Sequence, residues 1–141
     1  MVSASYLLDT NAISEPLRPS PDARLMDKLR ENDGRVAIAA VVWHELLYGC
    51  RRLPESRRRA AIERYLFDVV ALTIPILPYD DRGARWHADE RARLSVLGLV
   101  PSFADGQIAA IAAVNGLTLV TANTAHFTNF AGLEVTNWLG E

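Results

Sequence analysis

Short apolar runs alternate with longer stretches of helical pattern along this chain, and that alternation is what most limits its fold. Residues 5–8, 36–38, 74–77, 117–121 and 134–136 read as buried strands. Pro75 and Pro78 bracket the third run, which marks it as short or at a sheet edge. Between the runs lie helices. One carries Leu25, Met26 and Leu29. A second covers residues 39–50. A third starts near Pro54 and turns Ile62, Leu66, Val69 and Val70 inward. A long polar helix over 81–97 points Trp86 and Leu94 at the core. Another opens at Pro101 and Ser102 and closes at Gly116. Strands that alternate with helices predict an α/β sandwich with a mainly parallel sheet. In such sheets ligands gather outside the carboxyl ends of the strands.

Three carboxylates stand in informative places on that frame. Asp9 ends the first apolar run, Glu45 sits in an otherwise apolar helix, and Asp105 falls in the first turn of another. Burial there would make an ionised carboxylate costly. Three of them together point to a shared positive partner, most simply a divalent metal ion. Each also has a plainer reading. Asp9 caps a turn, Glu45 is a solvated helix residue, and Asp105 forms a capping box with Ser102. Asp105 also lies on the stripe of Ile108, Ala109 and Ala112, which capping does not require. Hard cations such as Mg²⁺ and Mn²⁺ prefer oxygen ligands and activate water for attack on phosphorus. There is no P-loop, no G-x-S-x-G elbow and no His or Cys cluster, since His44, His87 and His126 are scattered. Metal-assisted phosphodiester hydrolysis is the reaction that fits best.

Composition narrows the setting. The 141 residues suit one compact domain, and a net charge of −2 excludes a molecule that is basic throughout. Six arginines nevertheless crowd into residues 51–64: Arg51, Arg52, Arg57, Arg58, Arg59 and Arg64. They read as a solvated helix face, as contacts to an RNA backbone, or as contacts to an acidic partner protein. Cys50, the only cysteine, excludes an intrachain disulfide and reads as a small buried hydrophobe. Trp43 and Tyr48 are expected to pack in the core. Neither a signal peptide nor a membrane span is expected, which suits a soluble cytoplasmic protein.

The blocks LLDTNAISEPLR, HELLYG, PSFADGQIAAIA and GLTLVTANTAHF run in order at 7–18, 44–49, 101–112 and 116–127. In these the chain resembles PIN-domain ribonucleases, the VapC-type toxins of VapBC toxin–antitoxin pairs, in the FitB-like branch. The resemblance implies a single PIN domain over residues 1–141, with a PIN-like α/β/α sandwich. It implies an endoribonuclease dependent on Mg²⁺ or Mn²⁺ and held in check by a cognate VapB-type antitoxin. A homodimer and a larger toxin–antitoxin assembly are implied as well. By position, Asp9, Glu45 and Asp105 match the family's metal ligands, while Asn11 and Thr121 match polar residues that orient them. Many relatives carry a fourth acid where this chain has Asn123, whose neutral carbonyl adds no charge, so one metal is expected rather than two. The segment 13–26 is expected to offer the antitoxin a groove. A haloacid-dehalogenase-type phosphatase is excluded, because position 11 is Asn and Lys28 is the only lysine. A catalytically silent PIN fold that binds RNA or protein is the alternative.

Overall fold

The computed structural model describes residues 4–140. Five strands form one sheet: β1 (Tyr6–Leu8), β2 (Val36–Ala39), β3 (Ile76–Leu77), β4 (Thr118–Val120) and β5 (Val135–Thr136). Their order is β3-β2-β1-β4-β5, and all four pairings are parallel. Helices α1 (Thr10–Ser14), α2 (Ala23–Glu31), α3 (Ala40–Arg51), α4 (Arg57–Arg64), α5 (Ala71–Thr73), α6 (Asp81–Val96) and α7 (Phe103–Val114) flank it. This is the expected α/β/α sandwich, with β3 at an edge beside its two prolines. Leu7, Leu8, Ala37 and Ile38 are fully buried, as are Ile111 and Leu119, because both faces of the sheet are covered.

The chain builds outward from β1 to β2 and β3, then returns to the other side of β1 for β4 and β5. The reversal falls between β1 and β4. Neighbouring connections leave in opposite directions at such a point, so a crevice opens outside the strand ends. Asp9 follows β1 and Thr121 follows β4, which puts both at that crevice. The Asp9 backbone N–H donates to Val120 O at 2.9 Å and fixes the junction.

Two helices differ from expectation. Between α4 and α5 the backbone widens into a π-helix over Tyr65–Val70. Leu66 and Val70 are buried there as expected, but Val69 is 46% exposed. A turn closed by i→i+5 bonds shifts the side-chain phase, so the α-helical period places Val69 wrongly. On α3, Val42, Leu46 and Cys50 form the buried stripe, with Trp43 packed edge-on to Phe67. Tyr48 does not join them and stands 60% exposed, stacked with His44 under the Arg52 guanidinium. A helix rich in apolar residues still has an outer side. His44, Glu45 and Tyr48 occupy it.

Candidate metal centre

Asp9 lies deepest. It is 8% exposed and sits at the amino end of α1, where its Oδ1 accepts the Thr10 backbone N–H at 2.8 Å. Its Oδ2 accepts the Thr121 hydroxyl at 2.8 Å and, at the limit of 3.5 Å, the Asn11 amide. Thr121 in turn accepts from the Asn11 amide at 3.3 Å and from the Asn123 backbone N–H at 3.0 Å. The Asn11 carbonyl accepts the Ala122 N–H at 2.9 Å. Asp9 therefore does cap a turn, as its plainer reading holds, but it is also clamped across two strand ends. Asn11 and Thr121 stand beside it.

Glu45 corrects the expectation of burial, since it stands on the exposed side of α3. Its Oε2 accepts the Thr10 hydroxyl at 3.2 Å, which draws it toward α1 and Asp9. Partial loss of hydration pushes its carboxyl above the usual range, opposed by the Thr10 hydrogen bond. The charges of Asp9 and Asp105 push it further up, and His44 pulls it down. Glu45 thus feels both other acids. Asp105 is half-buried, its side chain 26% exposed. Ser102 caps α7 by accepting the Asp105 N–H at 3.1 Å. No return bond from the Asp105 carboxylate to Ser102 occurs among the described residues. Its Oδ2 faces His126 Nδ1 at 3.7 Å instead. His126 was not singled out in the sequence; the TANTAHF block places it in the 3-10 turn Thr124–His126 that brings it round. Asn123 begins that turn and is exposed.

Among the described residues, no three His, Cys, Asp or Glu side chains close on a point tightly enough to cage a metal alone. The donor chemistry is nonetheless that of a hard cation: three carboxylates, of which Glu45 feels the charges of both others. Mg²⁺ takes one or two carboxylates and keeps several waters, so an open site of this composition fits it.

The arginine cluster is divided. Arg51 and Arg59 both pair with Glu63, at 3.4 and 3.1 Å, and Arg59 also donates to Leu53 O at 3.0 Å. Arg52 lies over Tyr48, and Arg57 and Arg64 are exposed on α4. Arg58 alone of the six lines a cleft that reaches Thr10 and Glu45. In segment 13–26, Leu25 is buried in the core, while Ile13 and Pro16 line one cleft and Leu17, Arg18 and Pro19 line another.

A parallel α/β sheet with Asp9 at its reversal point belongs to a class that works on ligands at strand ends. The PIN domain family matches residues 6–133. The chain is 33% identical over 134 residues to VapC ribonuclease Y4jK of Sinorhizobium fredii, covering 93% of this chain and 95% of that one. To Toxin FitB of Neisseria gonorrhoeae it is 36% identical over 126 residues, covering 86% and 89%. The structure of FitAB bound to an IR36 DNA fragment aligns with a TM-score of 0.85 at 32% identity, covering 96% and 97%. The chain belongs to the PIN-domain family, with VapC and FitB proteins as its relatives.

Proposed function

We propose that this chain is a divalent-metal-dependent endoribonuclease, the toxin of a toxin–antitoxin pair, forming one PIN domain over its whole length. The observation that carries the reading is Asp9, clamped at the reversal point of the sheet, with Glu45 bonded to Thr10 beside it and the charge of Asp105 acting on Glu45. The names of its relatives, a VapC ribonuclease and a toxin, support it. Asp9, Glu45 and Asp105 would hold Mg²⁺ or Mn²⁺, which supplies an activated water and stabilises charge on the phosphate oxygens. The chain's own residues do the rest. Thr121 and Asn11 hold the Asp9 carboxylate against rotation. Thr10 ties Glu45 to the same end of α1. Asn123 offers a neutral oxygen that orients water without adding charge, which favours one metal over two.

The cytoplasm suits this activity, and among the described residues no helix is long and apolar enough to cross a membrane. A VapB-type antitoxin is the expected partner, in an assembly built on a toxin homodimer. The turn from α6 to α7 supports the homodimer: Val96 is 87% and Val100 81% exposed, with Leu97 and Phe103 exposed beside them. Apolar side chains gathered in this way mark an association surface.

The test is cleavage of single-stranded RNA with Mg²⁺ or Mn²⁺ added back to chelated protein. Asp9→Asn, Glu45→Gln and Asp105→Asn should each lower the rate by more than about a hundredfold, beyond the 10–100-fold typical of supporting residues. Wild-type activity in any of the three, with the fold intact by circular dichroism, removes that residue from the mechanism. RNA binding without cleavage by the wild type would leave the silent binding module instead.

A further inference from the structure

His126 touches the acidic site but has been given no part in it. Its Nδ1 stands 3.7 Å from Asp105 Oδ2, too far for a hydrogen bond and short enough for one ion to bridge. Metal–ligand bonds of roughly 2.1 Å place neighbouring ligands about 3.0 Å apart in an octahedron and about 3.4 Å apart in a tetrahedron. The His126 side chain is 61% exposed, so a small rotation of the ring brings both atoms onto one ion. The backbone beneath the ring is fixed. The 3-10 turn Thr124–His126 is closed by the His126 N–H donating to Asn123 O and the Phe127 N–H donating to Thr124 O, both at 3.0 Å. Phe127 is buried in the core and pins the end of the turn. At its start, the Asn123 N–H donates to the hydroxyl of Thr121, which also clamps Asp9. The strand end that fixes Asp9 thus also delivers the imidazole to Asp105. Among the described residues no arginine or lysine pairs with Asp9, Glu45 or Asp105. The chemistry of the ring then decides which cation suits the site. Mg²⁺ demands oxygen ligands in near-ideal octahedral geometry, whereas first-row transition metals accept imidazole nitrogen. Of these, Mn²⁺ also keeps the preference for carboxylate oxygen that three acids satisfy.

We propose that His126 is a further metal ligand, acting with Asp105, and that its nitrogen turns the site from Mg²⁺ toward Mn²⁺. This rests on the metal-dependent reading above. The probe is Mn²⁺ alone, added to the chelated full chain without RNA. Pulsed electron paramagnetic resonance of the bound ion should show coupling to a histidine nitrogen, and His126→Ala should remove it. His44 is the control, because it adjoins Glu45 on the exposed side of α3, and His44→Ala should keep the coupling. By calorimetry, His126→Ala should bind Mn²⁺ about tenfold more weakly or worse, while Mg²⁺ binding stays near the wild-type value. His126→Asp should recover affinity for both ions without the nitrogen signal. The metal-free thermal midpoint should not move in His126→Ala, since the ring is exposed, so weaker binding is not lost folding. Bound Mn²⁺ without nitrogen coupling overturns the proposal. So does coupling that survives His126→Ala and vanishes in His44→Ala. A wild-type chain that binds neither Mn²⁺ nor Mg²⁺ defeats the metal-dependent reading itself, whereas Mn²⁺ bound equally well by His126→Ala defeats only this one.

Discussion

Asp9 and Glu45 carry the same charge at the same cleft, yet their neutral isosteres should act on stability with opposite sign. Asp9 accepts the Thr10 N–H on one oxygen and the Thr121 hydroxyl on the other, with the Asn11 amide in reach. Asparagine presents an NH₂ to one of those donors, so Asp9→Asn should lose about 1–3 kcal/mol in chelator, read from the denaturant midpoint. Glu45 has its carboxyl pushed up, first by lost hydration and then by its acidic neighbours. A raised carboxylate holds its proton more tightly folded than unfolded, so its ionisation opposes folding above the carboxylate range and is silent below it. Glu45→Gln should therefore raise the metal-free thermal midpoint at neutral pH, with the gain closing as pH falls through that range. An equal gain at low pH would mean that charge is not the cause. Asp9 was legible in the sequence because an acid directly after a buried strand has one place to be. The setting of Glu45 was misread because apolar content was taken for burial, when the helix's phase decides which three residues face water.

Tyr65, at the head of the π-helix, ties this element to the site. Its hydroxyl donates to Ile13 O at 2.7 Å, linking the widened turn to α1 directly behind Asp9. Burial pushes the Tyr65 hydroxyl up to about 12, so a spectrophotometric titration of the folded protein should leave it protonated at pH 11. Tyr65→Phe should cost roughly 1 kcal/mol, again from the denaturant midpoint. On α6, His87 is buried against Gly106 of α7 and shares a 2.9 Å hydrogen bond with Tyr79. Desolvation lowers its pKa, helped by Arg91, from an ordinary 6.5. A depressed histidine binds its proton less readily folded than unfolded. Its contribution is therefore complete above about 6.5 and declines as pH drops below that. The thermal midpoint should fall between pH 7.5 and 5.5 in the wild type and fall less in His87→Phe. The strands and most helices could be read ahead of the structure, since proline positions and apolar runs mark them. The π-helix could not, because i→i+5 bonding leaves no residue signature, and Val69 was misplaced with it.

Two local concentrations stand out on the molecular surface. Arginines cover α4 and the end of α3, while the exposed apolar cluster lies at the turn between α6 and α7. If that cluster joins two copies, Leu97→Asp with Val100→Asp should shift the isolated chain to a monomer by light scattering. RNA binding should survive the change. A dimer that persists would move the interface elsewhere. The sheet order has one more consequence. Asp9 and its clamp Thr121 stand 112 residues apart in the chain, and Asp9 is made first. The strand that carries Thr121 docks beside the one that carries Asp9. A nascent chain therefore cannot close this cleft before β4 and Thr121 have been made, and a product cut short before residue 118 has no means of doing so. The order in which the strands are made therefore sets the moment at which the cleft can close.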